Sequence, residues 1–186
     1  MSDTTDRLVN VPRNAFDAAL PSAGAGVPDA PRSSRDLEAF CRDRRLSARV
    51  LRLDVPTPTV PAAAQALGVA VGRIVKSLVF LVAGEPTLVV AAGEDRVSYA
   101  ALARTLGVSR RDLRFASAEQ ALAITGYRIG AMPPFGHRRP LPTLLDDGSM
   151  PTDGLVYGGG GDVSALLEVD VNELNTVTAA RKAALT

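Results

Sequence analysis

Apolar residues recur at two different spacings along this chain, and the switches between them mark out its elements. Leu37, Phe40 and Cys41 stand at i, i+3 and i+4, one side of a helix that begins at Ser34. Arg49 to Leu53 alternates polar and apolar, the period of a strand. Thr57-Pro58-Thr59-Val60-Pro61 then interrupts the pattern, and Thr59 is placed to cap a helix over Ala62–Leu67 that Gly68 stops. Ile74–Val82 and Thr87–Ala92 are dense in β-branched and apolar residues, and Ala83-Gly84-Glu85-Pro86 joins them as a hairpin.

The second half reads in shorter pieces. Ser98 caps a helix through Leu106, ended by Gly107, and Ser109 and Ser117 cap two further short helices. A loop rich in Gly and Pro follows, then short strands at Leu141–Leu145 and Leu155–Tyr157. Gly158-Gly159-Gly160-Gly161 leads into a last strand over Ser164–Val169, and Asp170 with Glu173 forms a capping pair for a C-terminal helix. Strands and helices are interspersed without the long, regular βαβ rhythm of a Rossmann sheet. The expected class is α/β of the α+β kind: a mixed sheet curled towards a barrel, with helices around it.

Composition adds boundaries. The chain has 186 residues and is 46% hydrophobic, enough for one domain with a real core. Aromatic residues are 4% and tryptophan is absent, so that core is built from Val, Leu and Ala. Residues 1–33 are rich in Pro, Gly, Ala, Ser and Asp and read as a flexible tail, with at most a helical turn around Asn14 to Leu20; the folded domain is expected over 34–186. A net charge of +1 is not the footprint of a protein that coats long nucleic acid, and few aromatics argue against a base-stacking platform. Neither excludes contact with a short piece such as an RNA end. One cysteine and one histidine leave no intramolecular disulfide and no Cys/His zinc cluster. Without an apolar run near the ~18 residues of a membrane helix, and without a signal peptide, a cytoplasmic protein is expected.

Two stretches carry the candidate chemistry. In Ile74-Val75-Lys76-Ser77-Leu78-Val79-Phe80, a single ammonium sits inside an apolar run. Period 2 puts Ile74, Leu78 and Phe80 on the side of Lys76 and Val75, Ser77 and Val79 on the other. Lys76 is either an ordinary outward lysine or, given those apolar neighbours, a cation held for an anionic partner. The second stretch is Gly126-Tyr127-Arg128-Ile129-Gly130-Ala131-Met132-Pro133-Pro134-Phe135-Gly136-His137, too long and too apolar for an ordinary surface turn. It is either a connection or a rigid loop whose amides grip a phosphate or a developing oxyanion. Gly158–Gly161 followed by Asp162 lacks the Gly-Lys-Ser/Thr ending of a P-loop and precedes a strand rather than a helix. His137 reads better as a loop anchor than as a catalytic base, and Ser77 and Ser98 have no triad partners in evidence.

Taken in order, Thr57-Pro58-Thr59-Val60, the helix after it, Gly68, Ile-Val-Lys-Ser-Leu-Val, Gly-x-x-x-Gly-x-x-x-Pro-Phe-Gly-His, Leu145-Asp146 and the late glycines resemble the YbaK family. These are stand-alone aminoacyl-tRNA deacylases related to the editing domain of some prolyl-tRNA synthetases. The resemblance spans roughly Ser34 to Val177. It implies a barrel-like α/β domain that hydrolyses the ester between a wrong amino acid and the tRNA 3′ end. Lys76, Gly130 and Pro134 take the catalytic positions. Thr57, Gly126, Ala131, Met132, Pro133, Phe135, Gly136, Gly159 and Asp162 fall around the substrate.

Those residue types suit the reaction. An aminoacyl ester is already activated, so the catalyst chiefly positions it, places a water and stabilises the oxyanion. Lys76 supplies a fixed charge, the glycines let backbone amides approach, and Pro133 and Pro134 stiffen the loop. Asp146 and Asp162 could each orient a substrate amino group or cap a turn. The resemblance implies a hydroxyl of the terminal ribose in place of a general base. It calls for no cofactor and no metal. The implied partners are the tRNA acceptor end and an aminoacyl-tRNA synthetase, with neither DNA nor membrane. The substrate expected is a small side chain such as Ala or Cys on tRNA-Pro, with Met132, Phe135, Leu81 and Tyr157 placed to tune it. A non-catalytic tRNA- or synthetase-binding adaptor and a small-ligand regulatory domain remain open.

Overall fold

The computed structural model describes residues 30–186. The turn considered around Asn14 to Leu20, and all but the end of the expected tail, lie outside the described residues. Arg32 donates its backbone N–H to Gly126 O at 2.7 Å, and the Asp36 carboxylate accepts from both the N–H and the hydroxyl of Ser33. Helix α1 (Ser34–Asp43) follows, and its apolar stripe buries Leu37 and Cys41.

Strand β1 (Arg49–Arg52) leads through the Thr57 segment to helix α2 (Val60–Leu67). The Thr59 hydroxyl accepts from Ala62 N, and Gly68 closes the helix in the left-handed region, as expected. Strands β2 (Val75–Val82) and β3 (Glu85–Ala92) form the hairpin; its turn is Ala83-Gly84, and Glu85 and Pro86 already belong to β3. Helix α3 (Tyr99–Leu106) is capped by Ser98.

Two short strands were not anticipated. Ser109 caps only a 3-10 turn at Arg110–Asp112, which passes into β4 (Leu113–Phe115) rather than a helix. Helix α4 (Ala118–Thr125) has the Ser117–Gln120 capping box. Strands β5 (Thr143–Asp146), β6 (Leu155–Gly159) and β7 (Ala165–Asp170) lie within two residues of the strands expected at Leu141–Leu145, Leu155–Tyr157 and Ser164–Val169. Helix α5 (Val171–Thr178) is capped by Asp170, but Glu173 does not complete the pair. Its carboxylate reaches Ser47 N, Ser47 Oγ and Ala48 N instead, three donors that tie the α1–β1 turn to α5. The chain ends through β8 (Arg181–Ala183).

The strands form a three-stranded sheet, β1-β7-β6, and a five-stranded mixed sheet, β4-β2-β3-β5-β8. An isolated bridge between Ile74 and Tyr157 joins them. The result is the curled α/β arrangement expected, although the sheet does not close into a barrel. The largest core cluster includes Leu37, Val75, Val79, Leu88, Val156, Leu167 and Leu174. A second cluster, with Phe80, Val89, Leu102 and Leu144, lies under α3; a third, with Ala63, Ile74 and Leu166, lies under α2. β2 therefore separates two cores, with Val75 and Val79 on one side and Leu78 and Phe80 on the other.

Candidate functional site

A cavity of about 260 Å³ opens where the two sheets meet, at the N-terminal half of β2. Thr57 and Thr59 bring the start of α2 to it, Lys76 and Ser77 come from β2, Gly130 and Met132 from the long loop, and Gly158 and Gly159 from β6. Thr57 is 4% exposed, and its N–H donates to Val163 O at 2.7 Å, which pins this segment to the β6–β7 connection.

Lys76 is half-buried on the α3 side of β2. Its Nζ donates to Gly93 O at 2.9 Å and to Asp95 O at 2.5 Å. An ammonium has three N–H groups, so one donor is left for a ligand. Burial pulls its pKa below the ordinary lysine value, and the carboxylates of Asp95, Asp146 and Glu94 oppose the shift. The cation is thus held by carbonyl oxygens at the cavity wall.

The loop after α4 is tied to itself. Tyr127 is fully buried, and its hydroxyl donates to Gly136 O at 3.2 Å. Burial raises its pKa to about 12, so it is a neutral donor at ordinary pH. His137 Nε2 lies 2.9 Å from Pro133 O, and since a carbonyl only accepts, this nitrogen carries the proton. Burial pushes the His137 pKa down to about 4, against the Pro133 bond and with help from Arg32. Gly130 has φ +85°, a conformation that favours glycine, and it turns the loop past Pro58 into the cavity wall.

Five of the expected site residues share this cavity: Thr57, Lys76, Gly130, Met132 and Gly159. The others are distributed around it. Pro134, Phe135 and Gly136 line a separate hollow with Phe40, Arg44 and His137. Pro133 is buried and presents its carbonyl to His137. Gly126 closes α4 against Arg32. Ala131 and Asp162 border a third, open hollow with Arg32, Arg52 and Arg128. The Asp162 carboxylate accepts from Ser34 N at 3.0 Å, the first amide of α1. Asp146 is fully buried and accepts from Ser149 Oγ, Thr186 Oγ1 and the amides of Gly148, Leu185 and Thr186. It fastens the chain end rather than facing the Lys76 cavity.

Reasoning from sequence passed over Ser77 as a cavity residue, whereas Gly158 and Gly159, from the glycine run expected near the pocket wall, line it. The available signal for Ser77 was a hydroxyl at a strand position whose neighbours two residues either way, Val75 and Val79, are core. Among the described residues no cluster of His, Cys, Asp or Glu is arranged to hold a metal ion.

The structure is a curled two-sheet α/β domain whose small cavity is lined by a half-buried lysine and a loop turned at Gly130. Residues 54–177 match the family described as the aminoacyl-tRNA editing domain, and the chain belongs to that family. It is 32% identical over 127 residues to the uncharacterized protein YwhH of Bacillus subtilis (strain 168), covering 68% of this chain and 78% of that one. The fold is similar to that of a proposed trans-editing enzyme for prolyl tRNA synthetase, with TM-score 0.75, 34% identity, and coverage of 82% of this chain and 96% of the other. It is also similar to hypothetical protein APE2540, with TM-score 0.72, 34% identity, and coverage of 81% and 98%.

Proposed function

We propose that this protein is a trans-editing hydrolase that cleaves the ester of mischarged aminoacyl-tRNA, acting in the cytoplasm on small side chains such as Ala or Cys carried by tRNA-Pro. The observation that carries this reading is the convergence of Lys76 and the Gly130–Met132 loop on one cavity of about 260 Å³.

In this reading the tRNA 3′ end lies across the cavity mouth. The remaining Lys76 donor meets the terminal phosphate or the carbonyl region, where charge develops as water adds. The amides around Gly130 approach the ester, and Pro133 and Pro134, held by the His137 bond, keep them aimed before substrate arrives. The water is positioned by a hydroxyl of the terminal ribose, so the protein supplies placement and electrostatics. Gly126, Ala131, Phe135, Gly136 and Asp162 then act from outside the cavity, by shaping the loop and its attachment to α1.

The test is deacylation by the purified chain of tRNAs charged with each amino acid, repeated with Lys76→Ala. Turnover of small mischarged species, lost in the variant with its melting temperature unchanged, supports the reading. Binding of tRNA with no turnover across the panel would establish an adaptor instead. Stabilisation by a free metabolite without any tRNA effect would point to a regulatory domain.

A further inference from the structure

Ser77 carries a hydroxyl oxygen that is buried, has no hydrogen-bond partner, and belongs to a residue lining the cavity. A buried hydroxyl without a partner is costly and uncommon unless a ligand completes it. The other hydroxyls of the cavity are engaged: Thr59 Oγ1 accepts from Ala62 N, and Thr57 Oγ1 donates to Val163 O.

The backbone at Ser77 is open as well. On the edge of β2 away from β3, β6 reaches only the Ile74–Tyr157 bridge. On the same edge β4 pairs only from Phe80 onwards, with Ala116 N reaching back to Val79 O. Ile74 O accepts from Gly93 N on the β3 side, and antiparallel bonding alternates along a strand. The N–H and C=O of Ser77 therefore face the uncovered edge. Two strands stop short of each other, and the gap leaves Ser77 outside both ladders with its hydroxyl unpartnered.

Among the described residues no carboxylate lines the cavity. An aminoacyl end brings an amino group that needs hydrogen-bond acceptors, and with Asp146 and Asp162 committed elsewhere those acceptors are neutral oxygens. Lys76 and Ser77 both line the cavity, and Ser77 Oγ lies in its wall without a protein partner; the phosphate and ribose are placed toward Lys76 and the aminoacyl tip toward Ser77. Resting on the editing reading, we propose that Ser77 binds the α-amino group of the aminoacyl substrate through its hydroxyl and edge carbonyl. This notch selects α-amino esters over α-hydroxy and N-blocked esters.

The experiment compares alanyl-tRNA-Pro with its deaminated counterpart, lactyl-tRNA-Pro, for the wild type, Ser77→Ala and Ser77→Thr under single-turnover conditions. A hydrogen bond to an amino group implies that Ser77→Ala lowers the alanyl-to-lactyl rate ratio roughly tenfold. Ser77→Thr, which keeps the hydroxyl, restores part of it. Equal losses on both esters, or no loss, would overturn the proposal. Binding of 3′-deoxy-3′-(alanylamino)adenosine and its lactylamino counterpart, neither of which presents an ester, gives a second readout. If the wild type turns over no ester yet prefers the alanylamino probe in a Ser77-dependent way, the deacylase reading falls and the amino-group site stands. If the wild type shows no such preference, the site itself falls.

Discussion

A methyl group placed on Gly159 would lie 2.4 Å from the carbonyl oxygen of Met132. β6 and the loop after α4 thus touch backbone to backbone, and this contact forms one wall of the cavity. Gly159→Ala must push the loop outward, because neither side of the contact is a side chain that can swing away. The expected cost is about 1–3 kcal/mol of stability, read as a lower denaturant midpoint. Deacylation should fall further than the lost fraction of folded protein explains.

Lys76 should separate activity from stability. Burial disfavours its charged form, so Lys76→Met removes a strained cation along with the proposed catalytic charge. Deacylation is expected to drop by roughly 100-fold or more, with the melting temperature unchanged or raised. An active Lys76→Met protein would contradict the role assigned here.

His137 makes stability depend on pH in a defined window. Its pKa is about 4 folded against an ordinary 6.5, so between these values the unfolded chain binds a proton that the native protein refuses. Stability is full above pH 6.5 and declines on acidification to about pH 4, by on the order of 3 kcal/mol from this group. Urea melts across that range measure the slope, and His137→Gln should flatten it while loosening the Pro133 contact.

Asp146 acts at lower pH and at the other end of the chain. Burial works to raise its pKa, but the bonds from Ser149, Thr186, Leu185 and Gly148 outweigh it and hold the carboxyl below its ordinary 3.8. Its contribution is present above pH 3.8 and is lost as pH falls through the folded value. Asp146→Ala is expected to cost about 2–4 kcal/mol. Removing Leu185 and Thr186 should cost less in that background than in the wild type, since both changes break the same bonds.

Much of the local structure was readable beforehand. Thr59, Ser98 and Ser117 cap the helices they were expected to cap, because a cap is a contact over two or three residues. The alternation around Lys76 correctly put Leu78 and Phe80 on one side and Val75 and Val79 on the other. β4 and β8 were missed because three residues are too few to show a period, and both exist by pairing with distant strands. Glu173 was misassigned because a carboxylate at that helix position has two choices, and the better one involves Ser47, 126 positions away.

The candidate site divides along the same line. The ordered motifs from Thr57 to the late glycines were enough to give the family, and the period of β2 put Lys76 on the side of Leu78 and Phe80. Which residues of the loop face the cavity was not legible: Gly130 and Met132 do, while Pro134, Phe135 and Gly136 line another hollow. That division rests on Tyr127 and His137 bonding across the loop and on Gly159 letting β6 come against it. The uncovered backbone edge at Ser77 depends on β6 and β4 ending where they do, a fact about three strands far apart in the chain. Caps and periods are local and survive in one dimension; a gap between strands is a coincidence of distant backbones and comes into being only when the sheet assembles.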